Sequence, residues 1–283
     1  MRLAAYDVSG TPTMGVVAGS SITPLCPVEE FYEDVDGWLA RTEHLTVQAR
    51  SLAEVDAVPP VPATARVLCV GVNYRAHADE THADLPPAPN LFARWRRTLV
   101  ATDVPVPLPP GDALDWEGEL AVVLGRRLSA ATLDEVRPAI LGFTCFNDLS
   151  ARKFQFAVSQ WALGKNADRS GPVGPVIVTS DELSDVSALN LETRVNGEIV
   201  QSAKTDQMIF KPDEVLAYAS GCLTLEPGDV LATGTPDGVG YFRTPPRLLG
   251  AGDLVEVTIE SIGTLRNRIV ERADLDHPHR TTT

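Results

Sequence analysis

From Arg66-Val-Leu-Cys-Val-Gly71 onward, the apolar positions of this chain fall in short runs rich in Val, Leu and Ile, each set off from the next by turn residues. Gly-Asp turns recur at Pro110-Gly-Asp112, Pro227-Gly-Asp229 and Ala251-Gly-Asp253, and each precedes a β-branched or apolar run, the pattern of strands entered from tight turns. Helical spacing is confined to Thr132–Ile140, Ala151–Gln160 and Asp213–Ser220. Ahead of these, residues 1 to about 57 alternate short apolar runs with turns and end in a helix-like stretch, Trp38–Val55, which Pro59-Pro60-Val61-Pro62 interrupts as a linker. The pattern predicts a β-dominated α+β fold without regular β-α-β alternation. Its expected parts are a small N-terminal domain over 1–60, a larger domain over 63–273 and a frayed polar tail over 274–283. The Pro-rich segment 84–90 and the run Arg94–Arg97 read as exposed and mobile.

One run departs from this alternation. Asp115-Trp-Glu117-Gly-Glu119 sets acidic side chains two residues apart just before Leu120-Ala-Val-Val-Leu124, which reads as a buried strand. Residues i and i+2 of a strand share a face, so Glu117 and Glu119 point the same way with Asp115 behind them. Carboxylates stacked so closely repel unless a cation lies between them. Oxygen-only ligation favours magnesium or manganese over zinc. A solvated acidic face on an edge strand is the rival reading of such a pair taken alone.

Composition narrows the partners. At 283 residues the chain can bury a sizeable core, and its net charge of -14 with a pI near 4.7 argues against phosphate-backbone binding, which is built on Lys and Arg clusters. Small molecules are the expected partners, with neither nucleic acid nor membrane among them. Cys26, Cys69, Cys145 and Cys222 are scattered without a C-x-x-C pair, so reduced, mostly buried thiols are expected. The start of the chain lacks the apolar stretch of a signal peptide, and no apolar run approaches the ~18 residues of a membrane span. A cytoplasmic protein is the corresponding expectation.

Further candidates follow in chain order. Asn73-Tyr74-Arg-Ala-His77-Ala-Asp-Glu80 spaces His77 and Glu80 as neighbours on one helical face, where a carboxylate fixes the imidazole tautomer and raises its basicity; an exposed polar helix start is the alternative. Asp148 ends an apolar strand, a place for a ligand or an N-cap. Gln160-Trp161-Ala-Leu-Gly-Lys165-Asn-Ala-Asp168 leads into a Gly- and Pro-rich loop, and Thr233-Gly-Thr235-Pro-Asp-Gly238-Val-Gly240 leaves a strand through a turn whose N–H groups and Thr235 hydroxyl can grip a carboxylate.

Taken in order, these blocks resemble the fumarylacetoacetate hydrolase superfamily over roughly residues 66 to 271. They read N-Y-x-x-H-x-x-E at 73–80, D-W-E-x-E-L-A-V-V-L-G at 115–125, N-D-L-S-A-R-x-x-Q at 147–155, Q-W-x-x-G-K-x-x-D at 160–168 and T-L-E-P-G-D-V-L-A-T-G-T-P-x-G-V-G at 224–240. The resemblance implies a mixed β-roll core behind a small N-terminal domain, and a homodimer. It also implies a magnesium or manganese ion, or calcium, held by Glu117, Glu119 and Asp148. His77 and Glu80 become a water-activating dyad on a lid, Lys165 the stabiliser of an enolate or oxyanion, and Tyr74, Arg152, Gln155, Asp168 and Thr235 the substrate contacts. Two departures bear on substrate shape: Lys153 stands where many relatives carry an acidic residue, and the loop 166–171 lacks the aromatic residues common there. Arg94-Trp95-Arg96-Arg97 reads either as a contact for an anionic substrate tail or as a solvated loop. The leading expectation is metal-dependent hydrolysis of a C–C bond in a β-diketone or acylpyruvate-type 2-keto acid. Isomerisation or decarboxylation of a 2-oxo acid such as oxaloacetate is the alternative, and a non-catalytic binding protein the third.

Overall fold

The computed structural model describes residues 1–42, 47–183 and 185–273. Strands dominate, as the short apolar runs predict. A twelve-stranded mixed sheet runs in the order Arg50–Ser51, Ser21–Pro27, Thr11–Ala18, Arg2–Val8, Gly171–Thr179, Ile140–Asn147, Gly118–Leu124, Val230–Ala232, Val67–Gly71 and Asn90–Arg94, with Ala57–Val58 and Leu99–Val100 attached beside it. A five-stranded sheet, Glu198–Lys204, Asn190–Val195, Leu254–Ile259, Gly263–Val270 and Val106–Pro107, packs against it, and Leu114–Asp115 pairs separately with Ser150–Ala151. Among the described residues no helix is long and apolar enough to cross a membrane.

The strand Gly118–Leu124 explains why its sequence is continuously apolar. Leu120, Val122 and Leu124 enter one core with Phe143, Leu68 and Leu231, while Ala121 and Val123 enter a second with Phe146, Cys69 and Phe31. A strand covered on both faces has no polar face to alternate with. The helix Pro212–Ser220 closes the first core with Val215, Leu216 and Ala219, and the helix Val28–Glu33 closes the second with Phe31 and Tyr32.

Residues 1–60 are hydrogen-bonded into the same sheet, through Arg2 opposite Val178 and Leu3 opposite Ile177. The second core draws on both sides of the proline cluster. That cluster is no free linker: Pro60, Val61 and Pro62 are buried, the Tyr32 hydroxyl donates to the Pro60 carbonyl at 2.7 Å, and Arg96 donates to the carbonyls of Val61 and Pro62. Gly228, at φ +88, is required beneath it, because a Cβ there would stand 2.4 Å from Pro62 Cδ.

Other expectations are corrected. Among the described residues, the helix read over Trp38–Val55 is limited to Val35–Arg41; Arg50–Ser51 instead pairs with Ser21 and Ile22, and Ser51 Oγ accepts the Ala53 N–H, so an open sheet edge wins that part of the segment from the helix. The helix over Ala151–Gln160 shrinks to Arg152–Gln155, since the chain must turn back to bring Ala162–Lys165 against it, with Gly164 flat on the Gln155 backbone. Arg94 is not exposed: it ends the strand Asn90–Arg94 and is 2 % accessible. Thr132–Ile140 forms Leu133–Val136 followed by a 3-10 turn, and Asp213–Ser220 is helical from Pro212. The tail 274–283 lies outside the described residues.

Candidate active site

The E-x-E pair sits where two antiparallel strands end together. Gly118 is opposite Asn147 and Glu119 opposite Phe146, and the Asp148 N–H bonds to the Glu117 carbonyl, so the pleat sends Glu117, Glu119 and Asp148 to one face. Their ligand oxygens lie within 4.8 Å of one another, and all three residues are buried. Gly118 turns to the opposite face, where a Cβ would stand 2.1 Å from Thr193 Oγ1; only glycine lets the five-stranded sheet approach so closely. The strand's entry is fixed by side chains: Asn147 accepts the Glu117 N–H and Gln201 the Gly118 N–H.

Three buried cations surround these carboxylates. Lys165 Nζ bridges Glu117 Oε2 at 2.7 Å and Asp148 Oδ2 at 2.6 Å. Arg94 pairs with the other Asp148 oxygen and with Ser170. The Arg152 guanidinium spans Asp115 and Glu117, each at 2.7 Å. Burial opposes ionisation of Glu117, but Lys165, Arg152 and His77 outweigh it and hold its carboxyl down to about 2. Burial likewise opposes the Lys165 charge, yet Asp148 and Glu117 raise its pKa above the ordinary value. Glu119 goes the other way. Burial and the neighbouring Asp148 and Glu117 charges push its carboxyl well above the usual range, against Lys165 and the Gly234 N–H.

The helix Arg75–Thr81 carries the imidazole. His77 Nδ1 lies 3.2 Å from Glu80 Oε2, while Glu80 Oε1 accepts the Gly238 N–H at 3.0 Å. With Nδ1–H donated to Glu80, Nε2 keeps a lone pair. Asn73 anchors the approach to this helix by donating to the carbonyls of Phe210 and Thr233 and accepting the Phe210 N–H.

A cavity of about 180 Å³ connects these groups. Its polar lining is His77, Glu117, Arg152, Gln155, Lys165 and Thr235, and its aromatic lining is Phe92, Phe156, Trp161 and Phe242, with Lys165 Nζ 5.3 Å from the centre of the Phe92 ring. Thus Arg152, Gln155 and Thr235 lie where substrate contacts are expected. Tyr74 and Asp168 do not line it: Tyr74 is buried with an unpartnered hydroxyl, and the exposed Asp168 pairs with Arg272. Lys153 faces away and donates to the Gly111 carbonyl. The sequence reading missed Arg94 as a counter-ion, because an arginine among Arg96 and Arg97 carries no local sign of burial; the strand period does put Phe92 and Arg94 on one face. Asn147 and Gln201 were missed as well, and their motif and strand positions show no role until the strands pair.

The donor set fits a divalent cation. Asp115, Glu117, Glu119 and Asp148 outnumber Arg94, Arg152 and Lys165 by one charge, and among the described residues Glu119 receives no side-chain donor, only the Gly234 N–H at 2.8 Å. Three buried carboxylates supply hard oxygen ligands, which suits magnesium or manganese.

The family model for the fumarylacetoacetate hydrolase C-terminal domain matches residues 66–270. The chain is 40 % identical over 237 residues to the mitochondrial oxaloacetate tautomerase of Rattus norvegicus, covering 80 % of this chain and 76 % of the relative. It is 40 % identical over 224 residues to an oxaloacetate tautomerase of Bacillus subtilis, covering 77 % and 74 %. Among solved structures, a putative HpcE protein from Mycobacterium smegmatis superposes with a TM-score of 0.89 at 32 % identity, covering 96 % of this chain and all of that one. Maleylpyruvate hydrolase from Sphingobium sp. SYK-6, crystallised with manganese(II) and pyruvate, gives 0.81 at 27 % identity, covering 96 % and 99 %. The ordered motifs, the β-rich fold and these relatives agree: the chain belongs to the fumarylacetoacetate hydrolase family and is an enzyme.

Proposed function

We propose that this enzyme interconverts the keto and enol forms of a short 2-keto diacid of the oxaloacetate type, with a divalent ion held by Glu117, Glu119 and Asp148. The observation that carries the reading is the size of the cavity that joins His77 to Lys165. At about 180 Å³ it falls below the roughly 300–1,000 Å³ of sites for drug-sized ligands, which suits a four-carbon acid. The tautomerase names of relatives at 40 % identity support it, and they reverse the order of expectations, which had put C–C hydrolysis first.

A bound ion supplies Lewis-acid polarisation of the 2-oxo-acid oxygens. His77 Nε2 takes a proton from the carbon between the carbonyl and the distal carboxylate, and Glu80 stabilises the resulting imidazolium through Nδ1–H. As that C–H bond breaks, a C=C bond forms and the carbonyl electrons move to oxygen, where the buried Lys165 ammonium opposes the developing charge. The imidazolium's proton, passed to that oxygen directly or through a water, completes the enol and restores neutral His77, and the reverse sequence gives the ketone. Phe92, Phe156, Trp161 and Phe242 line the rest of the cavity with apolar surface.

Carbon–carbon hydrolysis is the second reading, favoured by the His77–Glu80 pair, which can also deprotonate water. The decisive assay follows enol–ketone interconversion of oxaloacetate by ultraviolet absorbance with magnesium or manganese, beside carbon dioxide release and acylpyruvate cleavage. Tautomerisation is expected to be fastest, and His77→Ala to slow it by about 10²–10⁴-fold, the usual worth of a positioned base. Acylpyruvate cleavage with no effect on the enol–ketone rate would replace this reading with the second.

A further inference from the structure

Asp115 ends the short strand Leu114–Asp115 just before the E-x-E strand but is not one of the three ligands, and its carboxylate is wholly buried. Oδ1 accepts the N–H groups of Trp116 at 3.0 Å and Gly240 at 2.7 Å. Oδ2 accepts the Tyr241 N–H at 3.0 Å and Arg152 Nε at 2.8 Å. A carboxylate saturated in this way is an anchor, with no lone pair turned to the cavity.

Two chains of contacts leave it. Through Arg152 it reaches the metal carboxylates: the guanidinium held by Asp115 also contacts Glu117 Oε1 at 2.7 Å and donates to Gln155 Oε1 at 2.8 Å. Through the loop 238–241 it reaches the dyad. Asp115 holds Gly240 and Tyr241, the neighbouring Trp116 Nε1 donates to the Gly238 carbonyl at 3.0 Å, and the Gly238 N–H holds Glu80, which orients His77. A Cβ on Gly240 would stand 2.7 Å from Asp115 Oδ1, so the loop backbone is pressed against this carboxylate.

We propose that Asp115 is a positioning residue that sets the spacing between the carboxylate triad and the His77–Glu80 dyad, so that one buried side chain fixes the ion relative to the base. This rests on the proposed roles of those two groups. In Asp115→Asn an amide donor faces either Arg152 or the loop N–H groups, where a carboxylate accepted from both. Arg152 then has Glu117 as its sole anionic partner and draws it from the ion.

The test measures manganese binding by calorimetry without substrate, the pH profile of kcat/KM for oxaloacetate, and the melting temperature, on the wild type, Asp115→Asn, Arg152→Lys and Trp116→Phe. Asp115→Asn is expected to weaken manganese binding by about 10–100-fold, the usual effect of losing a partner behind a ligand, and also to displace the pH limb of the base. Arg152→Lys, which keeps a charge but loses the fork, should weaken the ion and leave that limb in place. Trp116→Phe, which loses the bond to Gly238 and part of the ring's packing on the loop but leaves Asp115 and Arg152 in place, should move the limb and leave the ion. A lowered melting temperature with ion affinity and pH limb unchanged in Asp115→Asn would make Asp115 merely structural and overturn the proposal, as would a change in only one of the two. Should Asp115→Asn fail to fold, the two single-arm variants decide, because failure of both to separate the readouts overturns it equally. Failure of the wild type to bind manganese would instead sink the functional reading itself.

Discussion

At the scale of single residues, the site holds one carboxyl more than its buried cations neutralise, and Glu119 is that one. Its raised carboxyl means that the ion-free protein favours the protonated acid there, and a bound cation must displace that proton. The sign follows from linkage: a carboxyl raised by folding contributes stability that is complete below its unfolded pKa and lost as pH rises through the folded one. Ion-free protein should therefore lose stability as pH rises through the folded Glu119 pKa, and Glu119→Gln, which mimics the protonated acid, should escape that loss. We expect the melting temperature of Glu119→Gln minus that of the wild type, both in chelator, to grow with pH; a difference flat with pH would show that Glu119 does not carry the charge. Manganese at about 100 times its dissociation constant should stabilise the wild type by about 2.7 kcal/mol, and the variant far less at the same concentration.

At the scale of elements, the period of the strand made the triad legible, while the walls of the cavity were not. Glu117 and Glu119 announce a shared face two residues apart, and Asp148 ends the next strand of the sheet. Phe92, Trp161 and Gly71 come together only because Asn90–Arg94 pairs with Val67–Gly71 and the turn after Gln155 folds back on it, long-range pairings that no local pattern encodes. The Trp38–Val55 helix failed for the same reason, its second half being claimed by a sheet edge. Trp161 has its ring edge-on to Phe92, with centroids 5.5 Å apart, and lies so close over Gly71 that a Cβ there would stand 2.6 Å from it. Both rings line the cavity. Trp161→Ala should shift the kcat/KM ratio by at least about tenfold from oxaloacetate toward 2-keto acids longer by one or two carbons, the scale set by a methylene in an apolar pocket. An unchanged ratio across that series would place the length limit elsewhere.

At the scale of the molecule, the proline cluster that reads as a boundary in the sequence is a packed seam in the structure, and this has a consequence for unfolding. The second core takes Leu3, Met14, Phe31 and Tyr32 from before the cluster and Val67, Ala121, Val123 and Ile177 from after it, so neither part completes a hydrophobic layer alone. The same layer ends at the carboxylate triad, with Cys69 and Phe146 beneath it; burial and the Asp148 and Glu119 charges keep the Cys69 thiol well above its ordinary pKa, as expected of a neutral packing group. Loss of packing at Phe31 should therefore be felt throughout. Phe31→Ala removes a fully buried ring and is expected to cost about 3–5 kcal/mol. The loss should appear as one cooperative transition, with amides of Arg2–Val8 and of Gly118–Leu124 losing hydrogen-exchange protection to the same extent. If the first strand opened while the second kept its wild-type protection, residues 1–60 would be an independent unit docked on the site, and the seam would be an interface and not a core.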